Sequence, residues 1–282
     1  MSVKTRTQSR FARTRQAYQR AWRARDFHAA EKHAQALVAT HPKQAYSWRA
    51  LGASFIELGQ PGKALESLRE AARVAPNDAH TAYLTGTAHR ALKQWEAAGD
   101  QLRRALTLDP GHALAHTEYA RVHLATGNVD KALESIATAR RLDPNNPFIL
   151  TQSITAHSAA RKMADVLEDC QRLLNLDDRS PQYFNLAAVK HCEMGLFDQA
   201  ARYYEQALAL DPDYLAAFSN RVFNAHYDPT LSDNDIATLI RRWHDRFSPT
   251  SRPARPDTGA DERRPSPSAF CRRDCAAIRW AR

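Results

Sequence analysis

Glycine is sparse in this chain, at 9 of 282 residues, cysteine sparser still at 4, and no apolar run is long. A membrane-spanning helix needs about eighteen or more consecutive apolar residues, so none is expected. Residues 1–10 also lack the apolar stretch of a secretory signal, which points to a cytoplasmic protein with no membrane partner. So few cysteines make no disulfide framework. Cys170 and Cys192 fall inside apolar helical segments, where a free thiol behaves as a small hydrophobe. Cys271 and Cys275 have C-x-x-x-C spacing but no second ligand pair, and zinc requires four ligands, so no metal site is expected. Phosphate-cradling and nucleophile motifs are missing too: there is no Walker loop, no G-x-G-x-x-G and no G-x-S-x-G. The chain is therefore expected to carry no catalytic residue and no cofactor.

What the chain does have is a period. Proline recurs at Pro42, Pro76, Pro110, Pro144 and Pro212, every gap being 34 residues or twice 34, with Asp178 at the skipped place. Units started at Phe11, Ala45, Ala79, Ala113, Pro147 and Pro181 bring other residues into register. The twentieth place reads Ala30, Ala64, Ala98, Ala132, Val166 and Ala200; the twenty-seventh reads Leu37, Ala71, Ala105, Ala139, Leu173 and Ala207. Small side chains at two fixed places suit two antiparallel helices in close approach. A repeat of this length is a supersecondary unit that buries its apolar face only by stacking on its neighbours.

The second unit carries Trp48, Leu51, Gly52, Phe55, Gly59, Ala64, Leu68, Ala71 and Pro76, and in this it resembles the tetratricopeptide repeat family. The resemblance implies an all-α fold: a right-handed superhelical solenoid of six helix-turn-helix repeats (11–44, 45–78, 79–112, 113–146, 147–180 and 181–214). A basic extension at 1–10, capping and linker helices over 215–247, and a tail at 248–282 complete the expected organisation. Gly52 and Gly86 match the family's eighth place, where a side chain would collide with the next helix; Gly59, Gly127 and Gly195 fall between helices, where a left-handed backbone favours glycine. The fifth unit departs furthest, with Ile154 at the glycine place and Asp178 for proline, and is expected to be a looser joint or a bend.

In this family the first helices line an inner groove, which names candidate peptide-contacting residues here: Arg15, Trp22, Tyr46, Arg49, Tyr83, Arg90, Thr117, Arg121 and Asn185. Arginine forks interleaved with rings suit an extended peptide or protein ligand, an acidic one above all. Nucleic acid ranks last among the partners. The net charge of +9 is lopsided: residues 1–25 hold eight Lys or Arg and no acid, the tail carries +4, and the body between is mildly acidic at −3. Only the ends could meet a polyanion. His89, His123, His157 and His191 recur every 34 residues and read as packing residues stacked along the solenoid. His112 and His116 have a spacing that can share a metal, but His112 falls in the Pro110-Gly111 turn and His116 in a core-facing place.

After the sixth unit the text changes. Ser232 and Asp235 form a capping-box pattern, and Ile236, Leu239, Ile240, Trp243 and Phe247 share one helical face. With Tyr227, Asp228, Pro229, Leu231 and Arg246, this stretch resembles the junction of SPINDLY-type O-linked N-acetylglucosaminyltransferases. In that family the repeats choose the protein substrate and a following domain transfers the sugar from UDP-N-acetylglucosamine. The chain would then be the substrate-recognition arm of such an enzyme, without its catalytic domain. Residues 248–282 turn to Arg, Pro, Ser and Asp. Shifting the frame by two bases over Arg264–Arg282 permits a segment resembling the opening of that catalytic domain, so the tail is either disordered or translated out of frame.

Overall fold

The computed structural model describes residues 3–247, with side chains from Arg10 onward. The expectations placed on the tail, Cys271 and Cys275 included, lie outside the described residues. Among the described residues there are fourteen α-helices and no strand. They form six antiparallel pairs: α1 (Val3–Arg23) with α2 (Phe27–Thr40), α3 (Ala45–Glu57) with α4 (Pro61–Val74), α5 (Ala79–Ala91) with α6 (Trp95–Leu108), α7 (Ala113–Ala125) with α8 (Val129–Leu142), α9 (Pro147–Ala159) with α10 (Met163–Leu176), and α11 (Pro181–Glu193) with α12 (Phe197–Leu210). Two more, α13 (Leu215–Ala225) and α14 (Asp233–Phe247), follow. Residues 3–10, set apart above as a basic extension, instead continue the first helix.

Each hairpin closes on one small and one large side chain. In α3 and α4 these are Gly52 and Leu68; a methyl group added to Gly52 would lie 2.7 Å from Leu68 Cγ. Gly86 stands the same way to Leu102, at 2.6 Å. The other pairs at these places are Tyr18 with Ala34, Ala120 with Ile136, Ile154 with Cys170 and Ala188 with Tyr204, each pair buried within one core cluster. In the first and fifth hairpins the bulk sits on the first helix and in the others on the second, so a large side chain always faces a smaller one, which is how close-packed interiors tolerate substitution. Ile154 itself is well packed, at 1% exposed beside Cys170 in one cluster, although α9 does not come as close to α11 as α7 does to α9. The alanines of the twentieth and twenty-seventh places are buried throughout.

The corners repeat as faithfully. At each one the chain turns left-handed, at Arg25 (φ 57°), Gly59 (68°), Lys93 (59°), Gly127 (79°), Arg161 (56°) and Gly195 (74°). The next residue's N–H then reaches five residues back, as from Gln60 to the Phe55 carbonyl at 2.8 Å and from Asn128 to His123 at 2.8 Å, satisfying helix-terminal acceptors. The linkers between hairpins are tied by side chains: Trp48 Nε1 donates to the Pro42 carbonyl, Arg104 Nη2 to Pro76, and His116 Nε2 bonds Pro110. Side-chain caps on Asp26, Asp78, His112 and Asn146 start the following helices.

The four periodic histidines have separate partners and none stacks on another. His89 Nδ1 meets Gln94 Oε1 at 2.6 Å, His123 lies on Tyr119, His157 Nδ1 reaches buried Asp169 at 3.0 Å, and His191 Nδ1 bonds the Ala187 carbonyl at 2.7 Å. Asp169 also accepts from Ser153 Oγ at 2.7 Å and pairs with Arg140 at 2.8 Å, joining the fourth unit to the fifth. Beyond the repeats, Ser232 and Asp235 exchange hydrogen bonds at the start of α14. Trp243 Nε1 donates to Ser219 Oγ, Arg246 pairs with Asp213 at 2.8 Å, and Phe247 packs edge-on against Phe218, fixing α14 to the end of the solenoid. No described helix is long and apolar enough to cross a membrane.

Two stability outcomes follow from these contacts. Cys170→Leu alone should overpack the fifth hairpin by about 1–3 kcal/mol, and Ile154→Ala in the same chain should recover most of that loss, measured by urea unfolding of the double-mutant cycle. Arg161→Gly should raise stability by about 1 kcal/mol because it relieves a left-handed residue that bears a Cβ, whereas Gly127→Ala should lower it by about the same amount.

Candidate functional site

The pairs are not stacked symmetrically. The backbones of α3 and α5, α5 and α7, α7 and α9, and α11 and α13 approach closely, while among the described residues no second helix comes as close to the second helix of the next pair, although Arg140 of α8 reaches Asp169 of α10. The first helices therefore lie on the shorter, inner side of the curve. A hollow of about 450 Å³ opens on that side, walled by α1, α3, α5 and Leu114 of α7. Its lining includes Trp22, Tyr46, Arg49 and Tyr83, four of the residues expected from sequence, together with Tyr18, Gln19, Arg23, Ala50, Ala53, Ile56, Glu57, His80, Leu84 and Thr87. Arg15 stands beside it, its guanidinium 5.0 Å from the centre of the Tyr46 ring.

Burial raises the hydroxyl pKa of Tyr18, Tyr46 and Tyr83, the last to about 12, so all three rings carry neutral hydroxyls near neutral pH. Tyr18 Oη donates to the Ala50 carbonyl at 3.3 Å.

The arginines expected to hold an acidic ligand are largely occupied. Arg49 Nη1 donates to both carboxylate oxygens of Asp78, at 2.8 and 2.7 Å. Asp78 in turn caps α5 through the Thr81 N–H and hydroxyl. Burial alone would raise the Asp78 pKa; the Thr81 hydrogen bond and the Arg49 charge outweigh it and hold the carboxyl below its usual value. Arg90 and Arg121 both bind Glu118, whose side chain is only 3% exposed. Removing that carboxylate would leave two partly buried cations with no partner, a costly change. Sequence reasoning missed Asp78 and Glu118, although an acid just before a helix start and one at an inward place were both visible.

Two further expectations change. Thr117 is fully buried and its hydroxyl donates to the Ala113 carbonyl, so it cannot touch a ligand in the trough. Asn185 lies far along the solenoid and accepts from Asn220 of α13 at 3.1 Å. The residues brought together are thus Arg15, Trp22, Tyr46, Arg49 and Tyr83, with Arg90 and Arg121 farther on as a pair held by Glu118. No group of three or more potential metal ligands occurs among the described residues.

Family models described as tetratricopeptide repeat match residues 16–79, 50–113, 89–150 and 182–216, together more than half of the chain. The chain belongs to the tetratricopeptide repeat family. No curated protein matches it in sequence. Solved structures similar to these tetratricopeptide hairpins include pilF of Pseudomonas aeruginosa, 18% identical, TM-score 0.59, covering 77% of this chain and 99% of that one. Another is MamA, from residue 41 to its end, of Desulfovibrio magneticus RS-1, 21% identical, TM-score 0.51, covering 60% and 96%. The thermophilic tetratricopeptide protein TTC0263 of Thermus thermophilus is 18% identical, TM-score 0.55, covering 64% and 98%. At these identities the likeness is one of fold. The tetratricopeptide fold makes the chain a protein-interaction scaffold.

One wall of the trough is sensitive to protons. His112 Nδ1 accepts from the Ala115 N–H at 3.1 Å, which places the His112 proton on Nε2, directed at His80 Nδ1 3.2 Å away. Neither accepting nitrogen can be protonated without losing its bond. Desolvation, then the Arg49 and His112 charges, lower the His80 pKa to about 4 against an opposing pull from Asp78. Desolvation lowers His112 as well, against Asp109. His80 keeps a solvent-exposed edge, so screening reduces the energy involved. Both folded values lie below the unfolded 6.5, so the unfolded chain binds more protons between them. Stability should be fully present above about pH 6.5 and decline as pH falls toward 4. Melting temperatures of the full chain from pH 7.5 to 4.5 should show this decline, and His80→Gln should flatten it.

Proposed function

We propose that this tetratricopeptide chain holds an extended peptide segment of a partner protein in the trough between α1, α3, α5 and α7. The observation that carries the reading is the hollow itself: a concave, ring-lined recess on the inner face, within the size range of ligand sites. An acidic or polar segment suits its rim. Gln19 and Arg23 line one side from α1, which has no acidic residue, Arg15 stands beside them, and neither arginine forms an ion pair among the described residues. Arg49, Arg90 and Arg121 serve the trough as paired guanidiniums that shape it, and their charge is balanced by Asp78 and Glu118. The reading needs no chemistry beyond recognition.

A second reading is favoured by the far end. The rigid attachment of α14 through Trp243, Arg246 and Phe247 gives the solenoid a fixed platform for a following domain. In that reading the trough is the substrate-recognition arm of a SPINDLY-like O-linked N-acetylglucosaminyltransferase. Coding DNA read past the Phe247 codon in all frames would support it by showing a long glycosyltransferase-like frame; none would contradict it.

The trough itself is tested by substitution at Arg15, an exposed rim residue whose guanidinium lies against the Tyr46 ring. On a cellulose array of about twelve-residue peptides, Arg15→Glu should weaken binding of acidic peptides about tenfold or more, while Arg69→Glu on the outer helix α4 should leave it unchanged. Equal binding by both variants would contradict the reading.

A further inference from the structure

The hollow has a compositional cause. At the sixth place of the first helix the units carry Gln16, Ala50, Leu84, Glu118, Gln152 and Leu186; at the ninth, Gln19, Ala53, Thr87, Arg121, Thr155 and Val189. Only the second unit has alanine at both. Ala50 is 4% exposed and Ala53 half-buried, each forming part of the wall, and the α1 and α3 backbones do not approach as closely as those of α3 and α5, the contact between α1 and α3 being made by side chains such as Tyr18 and Tyr46. Two side chains are in effect missing from an otherwise filled face. The space they leave is bounded by the rings of Trp22, Tyr46 and Tyr83.

We infer that this hollow receives a single aromatic side chain of the bound peptide, with a neighbouring carboxylate of that peptide meeting Arg15 or Arg23 on α1. The inference rests on the trough reading above and names the chemistry of its ligand. Ring walls favour a ring, because edge-to-face and offset contacts add to the area buried. A cationic side chain is disfavoured: the Arg15 guanidinium already lies against Tyr46, and Arg49 stands 5.9 Å from the same ring. A carboxylate inside the hollow would be desolvated next to Glu57, the sole carboxylate in its lining. Glu57 also gives an indole N–H or a phenol hydroxyl an acceptor, which an aliphatic side chain could not use. Outside the hollow Arg15 and Arg23 of α1 supply the partner for an acid one or two residues away.

The experiment pans the full chain against a phage-displayed library of random peptides of about twelve residues and measures the enriched sequences by fluorescence anisotropy. Enriched peptides should share one Trp, Tyr or Phe with Asp or Glu within two positions. Changing that aromatic residue to Ala should weaken binding about tenfold or more. Ala53→Leu, which fills the hollow with a good helix former, should weaken the aromatic peptide by a similar factor and leave the Ala-substituted peptide unchanged. Circular dichroism melting establishes that Ala53→Leu is folded; if it is not, the smaller Ala53→Val takes its place in the same cycle. Enriched peptides without a shared aromatic residue, or indifferent to the filled hollow yet weakened by Arg15→Glu, overturn this inference and leave the trough reading standing. Failure to enrich any peptide sensitive to either substitution overturns both.

Discussion

Everything in this solenoid depends on the meeting of one small and one large side chain at the closest approach of each hairpin. Gly52 under Leu68 and Gly86 under Leu102 set the distance between paired helices; the other four hairpins reach the same closure with bulk distributed differently. With the hairpins closed in this way, the backbones of α3, α5, α7 and α9 approach one another in turn and form the inner face. The helical-hairpin spacing is thus a packing result, and the trough is its by-product.

On that surface, charge and shape divide the labour. The guanidiniums of Arg49, Arg90 and Arg121 are held in ion pairs, that of Arg90 with Glu118 joining the third unit to the fourth, so the middle of the trough is closer to neutral than its arginine count suggests. Arg15 and Arg23 of α1, which form no ion pair among the described residues, add positive charge beside the ring-walled hollow. A ligand would meet an electrostatic rim at one end and an apolar recess next to it, the division between steering and anchoring common to recognition surfaces. The histidine pair at His80 and His112 adds a wall whose hydrogen bonds hold only while both accepting nitrogens are unprotonated.

Much of the architecture was legible in the chain. A period of 34 residues, small side chains at fixed places and glycine at three corners identify stacked hairpins without any coordinate. The compensation between Ile154 and Cys170 was not legible, because it requires knowing which two places touch; read alone, Ile154 looks like a defect. Lys93 and Arg161 concealed left-handed corners for a similar reason, since only glycine announces that conformation in sequence. For the trough, Trp22, Tyr46, Arg49 and Tyr83 were found by register, whereas Thr117 was misplaced by it. Register gives a residue's approximate side of the helix but not whether the neighbouring unit covers it. Nor does it show that Asp78 and Glu118, on other elements or turns, reach back to neutralise the arginines.

The central claim is that the inner face between the first and third units is where a partner chain lies. Photo-crosslinking tests it most directly: benzoylphenylalanine is placed at Gln19 on the rim of the hollow or at Arg69 on the outer helix, and the full chain is irradiated with peptides selected for binding to it. The account predicts peptide adducts from Gln19 and none from Arg69; adducts from Arg69 alone would contradict it.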